Sequence, residues 1–266
     1  MGWNFLGIFF VVALVVCLVG FYKYVYFLSI GYGFAVLAIG VTMAIMGVAG
    51  IFNMSLAHYI LCALFVVYGF RLSGFLLFRE LKNAAYRKTL KEATGEESAM
   101  PVFVKFAIWI CVAALYVAQT SPVFFRVLNG GEVSAFTWAG IAICIGGNVL
   151  ETIADNQKSE QKKARPNMVA TQGLYKMCRC PNYFGEIIFW TGIFVSSLDI
   201  LIGIGQWLMA VISYVCIVFI MFNGAQRLEK RQMARYGNDK EYHDYANSTP
   251  IIIPLLPIYH LNKIEK

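Results

Sequence analysis

Seven mostly apolar stretches of about 20 residues dominate this chain, at 4–22, 28–51, 56–78, 102–120, 136–153, 184–199 and 200–222. A helix crossing ~30 Å of hydrocarbon needs about 20 such residues. Inside lipid, only helices and closed barrels can satisfy every backbone polar group. The balance of residue types agrees: 59% are apolar and 14% charged, whereas soluble domains carry about 25% charge. That is too little charge to cover a water-facing surface. A soluble enzyme, a disordered tail and a nucleic-acid-binding domain are all excluded. The pattern predicts an all-α polytopic membrane protein with seven transmembrane helices and the lipid bilayer as its surroundings. Its last two spans are divided only by Asp199 and Ile202-Gly203-Ile204-Gly205.

The placement of charge predicts the orientation. Of 22 Lys and Arg, 20 fall in segments that alternate spans bring to one face. Arg126 alone is expected on the opposite side, and Arg71 lies within span three. Because cytoplasmic loops collect Lys and Arg, the N-terminus is expected outside and the C-terminus in the cytoplasm. Six crossings would put the basic tail on the other side and spoil this asymmetry. Residues 79–105, 154–183 and 223–266 then form a basic cytoplasmic face, suited to a phosphate-bearing cofactor. Short loops point to a bacterial plasma membrane. The first run lacks a basic leader and continues to Tyr22, so it reads as a retained span rather than a secretory signal.

Cys17, Cys62, Cys111, Cys144 and Cys216 lie inside apolar runs and read as small hydrophobes. Cys178 and Cys180 have no nearby histidine to complete a zinc set, so they read as reduced thiols and no metal site is expected. His58 is expected in a short solvated loop opposite the basic face. The three histidines lack a serine or cysteine elbow, so no hydrolytic triad is expected.

Polar residues within the spans are costly and therefore informative. An intramembrane arginine costs about 2.5–3.5 kcal/mol on insertion scales, so Arg71 is expected to face a cavity or an acid, or else to reach for the cytosolic interface. Tyr68, three residues earlier, shares its helical face. Glu151 and Asp155 share one face at the end of span five. Pro181 can start a helix, which puts Asn182, Tyr183 and Glu186 on its first turn, at a ready anion site.

These residues carry a family resemblance. Ala154-Asp155-Asn156-Gln157-Lys158, Gly173-Leu174-Tyr175 and Arg179-Cys180-Pro181-Asn182-Tyr183-Phe184-Gly185-Glu186 with Trp190 resemble the C-terminal domain of the steroid 5-alpha-reductase family. So does the tail Arg227-Leu228-Glu229-Lys230-Arg231 with Tyr242, Tyr245 and Thr249. Tyr68-Gly69-Phe70-Arg71-Leu72 and Arg79 resemble the family's third span. Cys180 stands where the family has histidine, and span two lacks the family's glutamate, Asn53 being its nearest polar group.

The resemblance implies a single membrane domain, 1–266. Helices in 1–135 would form the substrate side, and 136–266 a reductase-like region carrying the cofactor motifs. The implied activity is NADPH-dependent reduction of a hydrophobic, lipid-like enone, with Tyr68 polarising the carbonyl. By similarity, Asp155, Asn182, Tyr183 and Glu186 would hold nicotinamide, ribose or amide groups. Arg71, Arg79, Lys162, Arg179 and Arg227 would serve the phosphates. The alternative is an S-adenosylmethionine-dependent membrane methyltransferase of the isoprenylcysteine or phospholipid type, whose acidic, tyrosine-bearing tail residues 227–254 also resemble. A non-catalytic protein binding anionic lipid explains the charge but leaves the cluster of Asp155, Asn182, Tyr183 and Glu186 without a purpose.

Overall fold

The structure, a computed structural model, describes residues 2–82, 101–130 and 133–262. The predicted basic segment 79–105 therefore lies mostly outside the described residues. Helices run in the order α1 (Asn4–Cys17), α2 (Val19–Tyr22), α3 (Ile30–Val48), α4 (Leu56–Gly69) and α5 (Phe75–Lys82), then α6 (Val102–Leu128), α7 (Ala135–Ala164), α8 (Pro181–Val195), α9 (Gly203–Tyr236) and α10 (Lys240–Ser248). A π-helical turn, Phe70–Gly74, joins α4 to α5. Among the described residues there is no strand.

Among the described residues, six helical segments are long and apolar enough to cross a membrane: Asn4–Tyr22, Ile30–Val48, Leu56–Lys82, Val102–Leu128, Ala135–Ala164 and Gly203–Tyr236. The chain is an integral membrane protein. The run expected at 184–199 forms only the 15-residue α8, shorter than a straight crossing requires. Residues after Val195 turn instead, because they have another partner, described next.

The chain divides into two compact units, residues 1–141 with 193–213, and residues 142–192 with 214–266. In the first, α3 and α4 touch backbone to backbone: a methyl group added to Gly69 would lie 2.3 Å from the Gly33 carbonyl oxygen. Ser73 in the π-helical turn donates to the Ile30 carbonyl at 2.7 Å, fixing the same pair. In α6, Pro122 cannot donate to the Ala118 carbonyl, and the Ser121 hydroxyl does so at 2.7 Å. The helix therefore continues through its proline.

Two sequence expectations are corrected here. Arg126 is not a loop residue: it sits in α6, 0% exposed. Its guanidinium donates to the Ser196 carbonyl and pairs with Asp199, which is why 196–202 leaves helical form. Asn129 reinforces this by donating to the Ile200 carbonyl at 2.8 Å. His58 is not solvated: it lies in the first turn of α4 and is buried. Its Nδ1 accepts from the Ser55 amide at 2.9 Å, completing a capping box.

In the second unit, the tail folds back along the start of α8. The Arg179 and Cys180 amides donate to the carbonyls of Pro250 and Ile251 at 2.8 and 2.9 Å. All seven cysteines are free, as expected for Cys178 and Cys180.

Candidate functional site

The first unit contributes a tyrosine cluster. Tyr68 is fully buried and meets Tyr32 edge-on, ring centroids 5.9 Å apart; Tyr32 packs in turn on Tyr116 at 4.8 Å. Tyr116 donates its hydroxyl to the Phe27 carbonyl at 2.5 Å. Arg71, half-buried in the π-helical turn, places its guanidinium 5.8 Å from the Tyr68 ring centre. Single π-helical turns recur at functional sites. Arg79 stands 5.7 Å over Phe75, two turns further on. One turn after Tyr116, Gln119 is buried, and neither end of its amide has a hydrogen-bond partner among the described residues. Sequence reasoning missed Tyr32, Tyr116 and Gln119; the signal for Gln119 was an amide in an apolar run, one turn from a tyrosine.

The second unit gathers the acids. Here α7 and α8 approach through small residues: a methyl on Gly147 would lie 2.5 Å from the Phe189 amide, and one on Gly185 2.9 Å from the Glu151 amide. The two helices run antiparallel, so the seam carries Asn182, one turn before Gly185, towards the level of Ala154 and Asp155. Glu151 and Glu186 are both buried beside this contact, and Asp155 and Asn182 are half-buried. Asn148, one turn before Glu151 on α7, is buried, and neither of its amide atoms has a hydrogen-bond partner among the described residues. Burying such a group without a partner costs about 1–3 kcal/mol. It too escaped the sequence reading, although its i,i+3 spacing to Glu151 was visible. Tyr183 packs against α9, where a methyl on Gly224 would lie 3.3 Å from its ring. Its hydroxyl is within electrostatic reach of Glu186, Arg227 and Arg231. Arg227 and Arg231 are both exposed.

The remaining motifs form the frame of this seam. The Gln157 carboxamide oxygen accepts the Leu174 amide at 2.8 Å, and Tyr175 donates to the Ala154 carbonyl at 3.2 Å. The two sequence elements 154–158 and 173–175 are therefore one piece of structure. Tyr245 from α10 donates to the Tyr175 carbonyl at 2.7 Å. Burial, and to a lesser degree the nearby Asp155, raises the Tyr175 phenol. Burial likewise pushes the Cys178 thiol up to about 12 and the Cys180 thiol up to about 11.

Two expected phosphate ligands are occupied locally. Lys162 donates to the Met168 carbonyl and, at 2.8 Å, to the Tyr236 hydroxyl. Arg179 is buried, pairs with Glu229 at 2.6 Å and donates to the Tyr259 carbonyl.

The seam and its frame coincide with a family match. Residues 14–249 match the family described as "Protein of unknown function (DUF1295)". The chain belongs to the DUF1295 family. That match covers both units, from the last turn of α1 to just past α10. No curated protein matches the chain, and no solved structure does.

Proposed function

We propose that this DUF1295 protein is a membrane-embedded, NADPH-dependent reductase of a hydrophobic enone, similar to the steroid 5-alpha-reductases. The observation that carries the reading is the buried seam of Asn148, Glu151 and Glu186, continued by Asp155 and Asn182. A soluble protein can tolerate stray surface acids; a membrane protein with 14% charge has few to spend. Two buried carboxylates beside the buried Asn148 amide suit a ligand rich in hydroxyl and carboxamide groups. NADPH supplies the hydride when bound.

The chain's own residues divide the work. Asn148, Asn182 and Glu186 hold carboxamide and ribose groups, with Asp155 and Tyr183 at the mouth. Exposed Arg227 takes phosphate, as an arginine fork does well. Lys162 and Arg179 act as scaffold, since local carbonyls and Glu229 already engage them. Tyr68 donates its phenol proton in a hydrogen bond to the substrate carbonyl, where negative charge develops. A donor placed in a dry site stabilises that charge far more than water does. Gln119 brings the second polar group that span two lacks. In this reading α8 counts as the seventh crossing, with the N-terminus outside, the C-terminus in the cytoplasm and a bacterial plasma membrane as the setting.

Thermal-shift titration of the detergent-purified protein tests this. NADPH is expected to raise the melting temperature saturably, and S-adenosylmethionine to leave it unchanged. Stabilisation by S-adenosylmethionine alone would move the protein to the methyltransferase reading.

A further inference from the structure

The tail ends in a loop with an unusual surface. Ile251 and Ile252 are buried, yet Leu255 is 93% exposed, the most exposed large apolar side chain among the described residues. Leu256 and Ile258 are also exposed. The loop is well built: the Ile251 amide donates to the Ile258 carbonyl at 2.8 Å, and the Leu256 amide to the Ile253 carbonyl at 3.1 Å. Pro254 and Pro257 flank the two leucines and fix their backbone. An ordered loop that holds leucines outward at a cost in water calls for an apolar neighbour.

Its anchorage says which neighbour. At one end, the loop's first residues pair with Arg179 and Cys180, immediately before Pro181 starts the apolar α8. At the other, the Leu261 carbonyl accepts from Gln226 at 3.0 Å, and Asn262 donates to the Gln226 carbonyl at 3.0 Å. Gln226 lies four residues beyond Phe222, where the apolar run of α9 ends, so the base of the loop is about 6 Å along the helix axis from the hydrocarbon level. Exposed Arg227, Lys230 and Arg231 share that stretch of α9, at the height where headgroup phosphates would lie. Apolar tips beside cations at this depth match an interfacial membrane anchor.

We propose that the loop 253–258 inserts Leu255 and Leu256 into the cytoplasmic leaflet of the bilayer, tying the tail to the membrane surface. This does not depend on the reductase reading. The test reconstitutes wild type, Leu255→Trp and Leu256→Trp in nanodiscs and records the fluorescence that each new tryptophan adds. Lipids brominated near the headgroup end of their acyl chains should quench at least half of the added signal, with little quenching by aqueous acrylamide. Quenching by acrylamide and not by bromine would overturn the proposal by placing the loop in water. Protection from both would also overturn it, in favour of a second copy or another protein covering the loop. Quenching of Lys240→Trp by acrylamide serves as the water-exposed reference.

Discussion

Arg179 donates to Glu229 at 2.6 Å, and their side chains are only 2% and 3% exposed. Glu229 also accepts from the Leu261 amide at 2.9 Å, the Asn262 amide at 3.1 Å and His260 Nδ1 at 3.0 Å. One carboxylate thus binds the start of α8, the body of α9 and the tail. Breaking one partner of a buried pair leaves the other charge uncompensated, at a cost of about 3–5 kcal/mol. Glu229→Gln is expected to lower the melting temperature sharply and to expose residues 250–262 to protease. Limited proteolysis in detergent checks it; an intact tail in the variant would reduce the pair to a bystander.

Gly173 has φ +67° and nearly touches Gln157: a methyl group there would lie 2.4 Å from the carboxamide oxygen. A residue with a Cβ is strained in this region by about 1–3 kcal/mol, and here it would also push Gln157 off the Leu174 amide. Gly173→Ala should therefore accelerate hydrogen exchange at Leu174 and Tyr175 by at least about tenfold, the equivalent of 1.4 kcal/mol. Unchanged exchange would contradict the joined-motif description.

Much of this was legible in the sequence. Of the seven apolar runs, six form the long helices seen among the described residues, because hydrocarbon leaves the backbone no alternative. The elements at 154–158, 173–175 and 179–186 stand out by their family resemblance, and the first two are joined by the Gln157–Leu174 and Tyr175–Ala154 hydrogen bonds. What was not legible depended on distant partners. Arg126 reads as a loop cation until Ser196 and Asp199 meet it, and the same meeting shortens the run at 184–199. Arg179 and Lys162 read as phosphate ligands because Glu229 and Tyr236, which engage them, are far from them in sequence. Asn148 and Gln119 looked unremarkable among apolar neighbours, since burial without a partner is a property of packing alone.

Thiol burial carries a pH prediction. Burial pushes the Cys178 and Cys180 thiols up from the ordinary 9.0, to about 12 and about 11. Above pH 9 the unfolded chain releases protons that the folded chain keeps, so stability falls as pH rises through 9 to 11. Tyr175 and Tyr245, also raised by burial, add to the same slope. The melting temperature should fall from pH 8 to pH 11, and Cys178→Ser with Cys180→Ser should flatten part of that fall. A flat profile in wild type would contradict the burial of these groups.

Gln119 separates function from architecture. Its buried amide has no hydrogen-bond partner among the described residues, so Gln119→Leu removes a group that costs about 1–3 kcal/mol to bury and should raise the melting temperature. If Gln119 and Tyr68 serve a substrate oxygen, the same substitution should lower turnover of a hydrophobic enone while leaving NADPH affinity unchanged. A stabilised variant with full turnover would confine Gln119 to packing.

The central claim is that the seam between α7 and α8 holds NADPH, and nucleotide fluorescence measures it directly. Titrating NADPH into wild type, Asn148→Ala and Glu186→Gln should give saturable enhancement in wild type and at least about tenfold weaker binding in each variant, a loss of 1.4 kcal/mol or more. Equal affinity in all three proteins, or no saturable signal in wild type, would contradict it.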